Sequence, residues 1–388
     1  MYWRSTQKAG QHRLPVSDEV TKAAQAALEV AASKVRRLSD AHPDYFPLYT
    51  HRGQWRHGKD SWTNWCEGFL GGQMWIFAEH DIGRGWRERA EHYSRLVENR
   101  QFDRDVHDLG FVLAPTWKKW WELDGDAATK EVALQGGRTL AMRFNDKGRY
   151  LRSFLAEDSL FIDIMMNVGL IFWTARETGD QALLDVARRH CATTRRTLVR
   201  GDGSASHEGI FDLDTGEFLR QTTQQGWRND SAWARGLAWS LYGFTAVHGL
   251  DPDGRWLRTA MANADYWIEA TAASDLIPPN DFDEPTPIHP WESSAAAAAA
   301  GGLLQLARLV PDQATAQRYH GHAEATFLRL CDPEFLAHED SWEGVLKHGS
   351  YHETKDLGVD ESVMWGDYFF VELAHELIYT APNQGDQQ

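Results

Sequence analysis

Asp163 stands in LFIDIMMNVGLIF with apolar neighbours on every side. An ionised carboxylate buried without a partner costs several kcal/mol. Asp163 therefore either bonds backbone or caps a helix, or is held protonated for general acid–base work near neutral pH. Asp108, in RDVHDLGF, leads into the apolar run LGFVLAPTWKKWW and fits two roles, the N-cap of that helix or part of an active site. In the same stretch Asp105 reads as a solvated charge or cap, and His107 as a packed, hydrogen-bonded histidine.

DSAWARGLAWSLYG sets Trp233, Arg235 and Trp239 two and four residues apart, so 235 and 239 share a helix face. An arginine between tryptophans on a nearly uncharged helix needs an anion, either an aspartate of the protein or the carboxylate of a ligand. GVDESVMWGDYFFVEL places Asp360 and Glu361 at an expected helix start, where acids suit the helix dipole. No His or Asp cluster has metal-ligand spacing, and neither a GxSxG elbow nor a phosphate loop occurs, so no metal or cofactor is expected. Hydrolysis on this chain would rest on carboxylates.

Helical periodicity dominates the elements that must position these groups, and strand-like alternation is scarce. Twelve helices are predicted, near 18–38, 66–79, 86–99, 112–123, 128–143, 160–176, 181–199, 231–247, 255–271, 293–309, 313–330 and 361–380. They alternate in character. RGWRERAEHYSRLVENR and DQALLDVARRHCATTRRTLVR carry one charged and one apolar face, as surface helices do. FIDIMMNVGLIFWTA, SAWARGLAWSLYGF and SSAAAAAAGGLLQLA are almost uncharged and must be buried on most sides.

ELDGDAATKEVA, RETGDQALLDVA, GLDPDGRWLRTA and LVPDQATAQRYH each put a turn with Asp just before a surface-type helix, where it can cap free amides. That punctuation recurs as in a repeated helical hairpin. Six such hairpins make an all-α (α/α)6 barrel, a single domain over 1–388 with short flexible ends at about 1–14 and 382–388. The longest connections, 200–230, 272–292 and 332–360, are rich in Gly, Pro, Asp and His and are candidates for function.

The 388-residue chain has a formal net charge of -16, which opposes nucleic acid and gives an anionic ligand no long-range help. Such a ligand needs a local basic group. No apolar run reaches the roughly 18 residues of a membrane span. The first twenty residues lack the apolar core of a secretory signal, and three cysteines without CxxC spacing speak against a disulfide framework or structural zinc. The expectation is a soluble cytoplasmic protein, monomeric or weakly self-associating. Its 18 tryptophans suit a buried core or stacking against sugar rings.

Five motifs occur in order: WCEGFLGG at 65–72, VHDLGF at 106–111, DIMMN at 163–167, DSAWARGLAW at 230–239 and GVDESVMWGDYF at 358–369. In this order and spacing the chain resembles the unsaturated glucuronyl hydrolases of glycoside hydrolase family 88 over nearly its whole length. The resemblance implies an (α/α)6 barrel and an exo-acting enzyme that removes the 4,5-unsaturated uronic acid left at the nonreducing end by a polysaccharide lyase, as from glycosaminoglycans. It makes Asp163 the general acid and base and Asp108 its essential partner. By the same resemblance Trp65, His107, Trp233, Arg235 and Trp239 contact the sugar, His207, Gln221, Thr223 and Gln225 line the pocket, and Ser350 and Glu353 meet the remaining sugar.

Two departures stand out. Leu70 replaces a tryptophan common in the family, so Trp65 rather than Trp62 is the expected stacking ring. Glu353, in SYHETK, would repel a sulfate and favours non-sulfated or differently sulfated substrates.

The implied substrate is an enol ether. The expected route is protonation at C4 by Asp163, addition of water at C5 activated by the same carboxylate, and opening of the hemiketal with loss of the remaining sugar. Asp163 is expected to begin protonated and Asp108 ionised, with Arg235 as counter-ion of the substrate carboxylate. Competing readings are an unsaturated rhamnogalacturonyl hydrolase on the same barrel, an inverting glycosidase for saturated glycosides, and a non-catalytic sugar-binding protein.

Overall fold

A computed structural model describes residues 14–58 and 64–380. The predicted flexible ends fall almost entirely outside the described residues, as does Trp62. Within them the chain forms twelve helical rods that alternate between an outer and an inner ring.

The inner rods are Glu67–Glu79, the broken rod built of Leu109–Leu113, Ala114–Lys118 and Lys119–Asp124, the pair Ile164–Asn167 and Gly169–Thr178, then Ala234–Leu250, Ser293–Ala307 and Met364–Thr380. Each packs on the next, and Met364–Thr380 returns to Glu67–Glu79, so the ring closes. Outside it lie Asp18–Ala41, Trp86–Leu96, Ala127–Ala141, Gln181–Thr197, Gly254–Thr271 and Gln313–Leu330, each against an inner rod. The fold is an (α/α)6 barrel.

Side-chain size explains the close ring. The alanines 295–300 of Ser293–Ala307 are all buried, because a rod touched on several sides has no room for longer groups. At Gly110 an added Cβ would lie 2.6 Å from the Asn167 Cα, and at Gly243 it would lie 2.6 Å from the Met165 Cβ. These two glycines let the rods that carry Asp108, Asp163 and Arg235 touch. Pro115, which lacks an N–H, sits in the widened π-turn Ala114–Lys118 that breaks the second inner rod.

The outer helices begin as expected. Asp126, Asp180, Asp253 and Asp312 each accept a backbone N–H of the following first turn.

The connections hold short strands that the apolar run around 160 concealed. Ser159–Phe161 pairs with Glu208–Phe211, which pairs with Phe218–Thr222, so the helix predicted from 160 begins only at Ile164. Gly349–His352 and Leu357–Glu361 form a second hairpin. Asp360 and Glu361 therefore sit on a strand, not at a helix start. Asp360 contacts His348 at 2.6 Å, and Glu361 accepts the Thr50 hydroxyl at 2.7 Å.

Candidate active site

Because every second rod is inner, the inner rods all run the same way and their N-termini converge at one end of the barrel. Asp108, Asp163 and Trp233 are the N-cap residues of three successive inner rods. There a cleft of about 420 Å³ is lined by Trp65, His107, Asp108, Phe154, Phe161, Asp163, Gln225, Arg235 and Tyr351. The converging amide ends add positive potential to a chain whose net charge is negative.

Neither aspartate caps with its side chain. The capping reading thus describes their backbone position but leaves both carboxyls to the cleft. The two rods are stitched together by Asn167, whose Oδ1 accepts the Phe111 N–H at 2.8 Å while its Nδ2 donates to the Asp163 carbonyl at 3.1 Å.

Each aspartate faces one histidine. His107 Nδ1 accepts the Phe154 N–H at 3.0 Å, so Nε2 carries the ring proton, 3.4 Å from Asp108 Oδ1. His207 Nδ1 accepts the Gln224 N–H at 3.1 Å and lies 3.2 Å from the Thr223 hydroxyl, leaving Nε2 3.6 Å from Asp163 Oδ2. Burial drives the pKa of His107 well below the ordinary histidine value and that of His207 down to about 3, with nearby cations adding to both effects. Both rings are neutral donors.

Asp163 is raised to about 6, by burial first, with Arg235 opposing and Glu208 adding to the rise. Asp108 is pushed well above the carboxylate range by burial and by the Asp163 charge, against weaker pulls from Arg100 and Arg143. Burial thus raises both carboxyls, with Arg235 opposing the rise at Asp163 and Arg100 and Arg143 opposing it at Asp108. Asp163 is the more accessible, its side chain 16% exposed against 6% for Asp108. Asp163 Oδ2 and His207 Nε2 are buried atoms with no hydrogen-bond partner among the described residues.

Arg235 is buried between the indoles of Trp233 and Trp365, its guanidinium 4.4 and 5.1 Å from their ring centres. It donates to Gln225 Oε1 at 2.6 Å, to the Tyr351 carbonyl at 2.8 Å and to the Ser350 carbonyl. Among the described residues no carboxylate lies within ion-pair distance of it, so the structural salt bridge to an aspartate is not formed. Glu292 and Asp163 reach it only through their fields, which oppose the lowering caused by burial. A buried cation held by neutral acceptors alone is a site for an anion.

The remaining expected residues divide. Trp65 lines the cleft and packs against Trp365 at 4.7 Å, whereas Leu70 is buried and outside the lining, so its departure from the family pattern does not reach the cleft. Trp233 is buried outside the lining and packs at a tilt against His207, the ring centres 4.5 Å apart. Trp239 is buried against Phe111 and Phe369 as floor beneath the cleft. Thr223 acts behind His207, as above.

Gln221 lies away from the lining, accepting from Arg200 at 3.0 Å and donating to the Thr197 carbonyl at 2.8 Å, a tie between strand and outer helix. Ser350 contributes its carbonyl to Arg235, and its hydroxyl is buried without a partner among the described residues. Glu353 sits beyond the lining in the turn Glu353–Lys355, its carboxyl raised by burial and by Glu284, with Asp281 adding.

Phe154, Phe161 and Tyr351 line the cleft without having been singled out. Phe161 and Tyr351 adjoin motif residues, but the strands that turn them inward leave no periodic signal in segments this short.

No protein-family model matches the chain. It is 29% identical over 357 residues to the unsaturated glucuronyl hydrolase of Bacillus sp. (strain GL1), covering 89% of this chain and 93% of that one. Against the unsaturated chondroitin disaccharide hydrolase of Streptococcus pyogenes serotype M1 it is 29% identical over 361 residues, 89% of each chain. A solved unsaturated glucuronyl hydrolase specific for heparin superposes with a TM-score of 0.83 at 27% identity, covering 93% of this chain and 97% of that one. Among the described residues no helix is long and apolar enough to cross a membrane, and no group of three or more His, Cys, Asp or Glu could hold a metal ion.

Proposed function

We infer that this chain, which belongs to the unsaturated glucuronyl hydrolases, is an exo-acting glycoside hydrolase that frees the 4,5-unsaturated uronic acid from lyase-generated oligosaccharides. The observation that carries the reading is a buried guanidinium without a carboxylate partner, Arg235, sharing a cleft with a carboxyl raised to about 6, Asp163. An unsaturated uronate needs both an anion site and a proton donor.

The substrate carboxylate docks on Arg235, with Trp65 flanking the ring. Its charge offsets the pull of Arg235 on Asp163 and raises the proton affinity of that carboxyl in the complex. Asp163 then protonates C4, and the cation at C5 is shared with the ring oxygen. Asp163, now a carboxylate, takes a proton from water as the water oxygen bonds to C5, so one residue serves both halves. The hemiketal opens to a C5 ketone and the C1 hemiacetal expels the remaining sugar, with one water consumed overall. Asp108 binds sugar hydroxyls and offsets the positive charge that develops on the ring, and His107 and His207 donate from Nε2 to the two carboxyls.

A non-sulfated sugar next to the uronate is part of the reading, because Glu353, Glu284 and Asp281 gather negative charge beside the hairpin that carries Tyr351. So is a reducing, cytoplasmic setting, favoured by free Cys66, Cys191 and Cys331. Residues 14–380 are taken as one catalytic domain working as a monomer or weak homo-oligomer.

The test is a panel of lyase-generated disaccharides, glycosaminoglycan-derived and pectin-derived, followed by loss of the conjugated alkene's ultraviolet absorbance, beside their saturated counterparts, followed by release of reducing sugar. Turnover of unsaturated substrates alone is expected. Equal turnover of saturated glycosides would point to ordinary glycoside hydrolysis, and binding without loss of absorbance would point to a sugar-binding protein.

A further inference from the structure

Glu208 is fully buried on the strand Glu208–Phe211 and has no part in the reaction above. Its Oε1 accepts the Ser159 hydroxyl at 2.5 Å and its Oε2 accepts the Gln224 side-chain amide at 2.8 Å. Each oxygen leads to one of the two histidines. Ser159 accepts the Ser153 hydroxyl at 2.8 Å, and the residue after Ser153 is Phe154, whose N–H holds His107 Nδ1. Gln224 itself supplies the N–H that holds His207 Nδ1. Strand register keeps the anchor in place, with Phe161 and Thr222 opposite Glu208 on either side.

No cation lies within ion-pair distance of Glu208 among the described residues. A buried carboxylate satisfied only by neutral donors is costly as packing alone. Its two acceptor oxygens instead meet the two arms that orient the histidines.

We propose that Glu208 is a positioning residue for the hydration reaction, holding His107 and His207, through Ser159 and Gln224, as neutral tautomers whose Nε2–H groups face Asp108 and Asp163. The proposal rests on the hydration reading of the cleft. The groups facing Asp163 are His207, Arg235, Asp108 and Glu208. Of these, Glu208 adds to the rise in Asp163, so removing its charge lets Asp163 lose its proton at lower pH.

Glu208→Gln keeps the shape and removes the charge. The expected result is a descending limb of kcat/KM moved down by about one pH unit, a loss of roughly tenfold at pH 7. Nitrogen-15 shifts of His207 should then report mixed tautomers. Glu208→Asp should restore the limb while kcat stays low, which a purely structural role would not do. A folded Glu208→Gln enzyme with an unmoved limb and a single tautomer would overturn the proposal. If that variant does not fold, Gln224→Leu removes one arm, and mixed tautomers are expected at His207 with His107 unchanged. An unaltered His207 there would overturn it equally. Wild-type turnover in the same assay separates the two claims, since failure to consume the alkene refutes the hydration reading itself, whereas normal wild-type turnover with an unmoved variant refutes only the role of Glu208.

Discussion

The cleft holds two copies of one arrangement with different fates. On each side a neutral histidine, pinned at Nδ1 by a backbone N–H, turns Nε2–H toward an aspartate, at 3.4 Å for Asp108 and 3.6 Å for Asp163. What separates them is Arg235, whose field reaches Asp163 and opposes its rise, while the charge of Asp163 raises Asp108 further. Like groups in one cleft thus sit in different fields, and in the proposed reaction Asp163 is the one that exchanges its proton. Pairs of titratable groups pushed apart by their surroundings are a general signature of acid–base chemistry.

Breaking the exchanging side should cost most. Asp163→Asn leaves the fold intact and is expected to lower turnover of the unsaturated disaccharide by about 10² to 10⁴. Arg235→Met removes the feature that separates the two sides, and steady-state kinetics should show a loss of about 2–5 kcal/mol of substrate binding, read mainly in KM. The same variant should move the descending pH limb upward, because the group that lowers Asp163 is gone. Asp108→Asn, which replaces a carboxyl able to ionise by an amide that is not, should lower kcat by roughly tenfold to a hundredfold with little change in KM. Gln221→Leu lies outside the comparison and should leave kcat/KM within about threefold, with its effect confined to about 1 kcal/mol of thermal stability.

Much of the frame was legible because it rests on periodicity. The alternation of charged-face and uncharged helices, together with Asp126, Asp180, Asp253 and Asp312 before the outer ones, marks the twelve rods. Asp163 and Arg235 were legible for a different reason, since each is a charged group in an apolar run and demands a partner, whereas the role of Asp108 came only from the family resemblance. The strand Ser159–Phe161 was not, because Leu160, Phe161 and Ile162 ahead of a buried helix extend its pattern without a break. Asp360 and Glu361 were misplaced for a related reason. Acidic residues before an apolar rod suit a helix start, and only the pairing of the hairpin assigns them to a strand. Glu208 escaped notice since a lone acid in HEGIF reads as a strand-edge charge until both of its oxygens are traced. Which cations oppose the rise of each aspartate, Arg235 for Asp163 and Arg100 and Arg143 for Asp108, is a matter of distance in space that no spacing along the chain encodes.

The dependence of kcat/KM on pH for the wild-type enzyme, measured between about pH 4.5 and 8 on an unsaturated disaccharide, tests the account most directly, since it reports the free enzyme's acid. Asp163 works in its protonated form, so the account predicts a plateau at low pH and a fall of about tenfold per unit above roughly pH 6. A profile that stays level to pH 8, or climbs as the pH rises through 6, would contradict it.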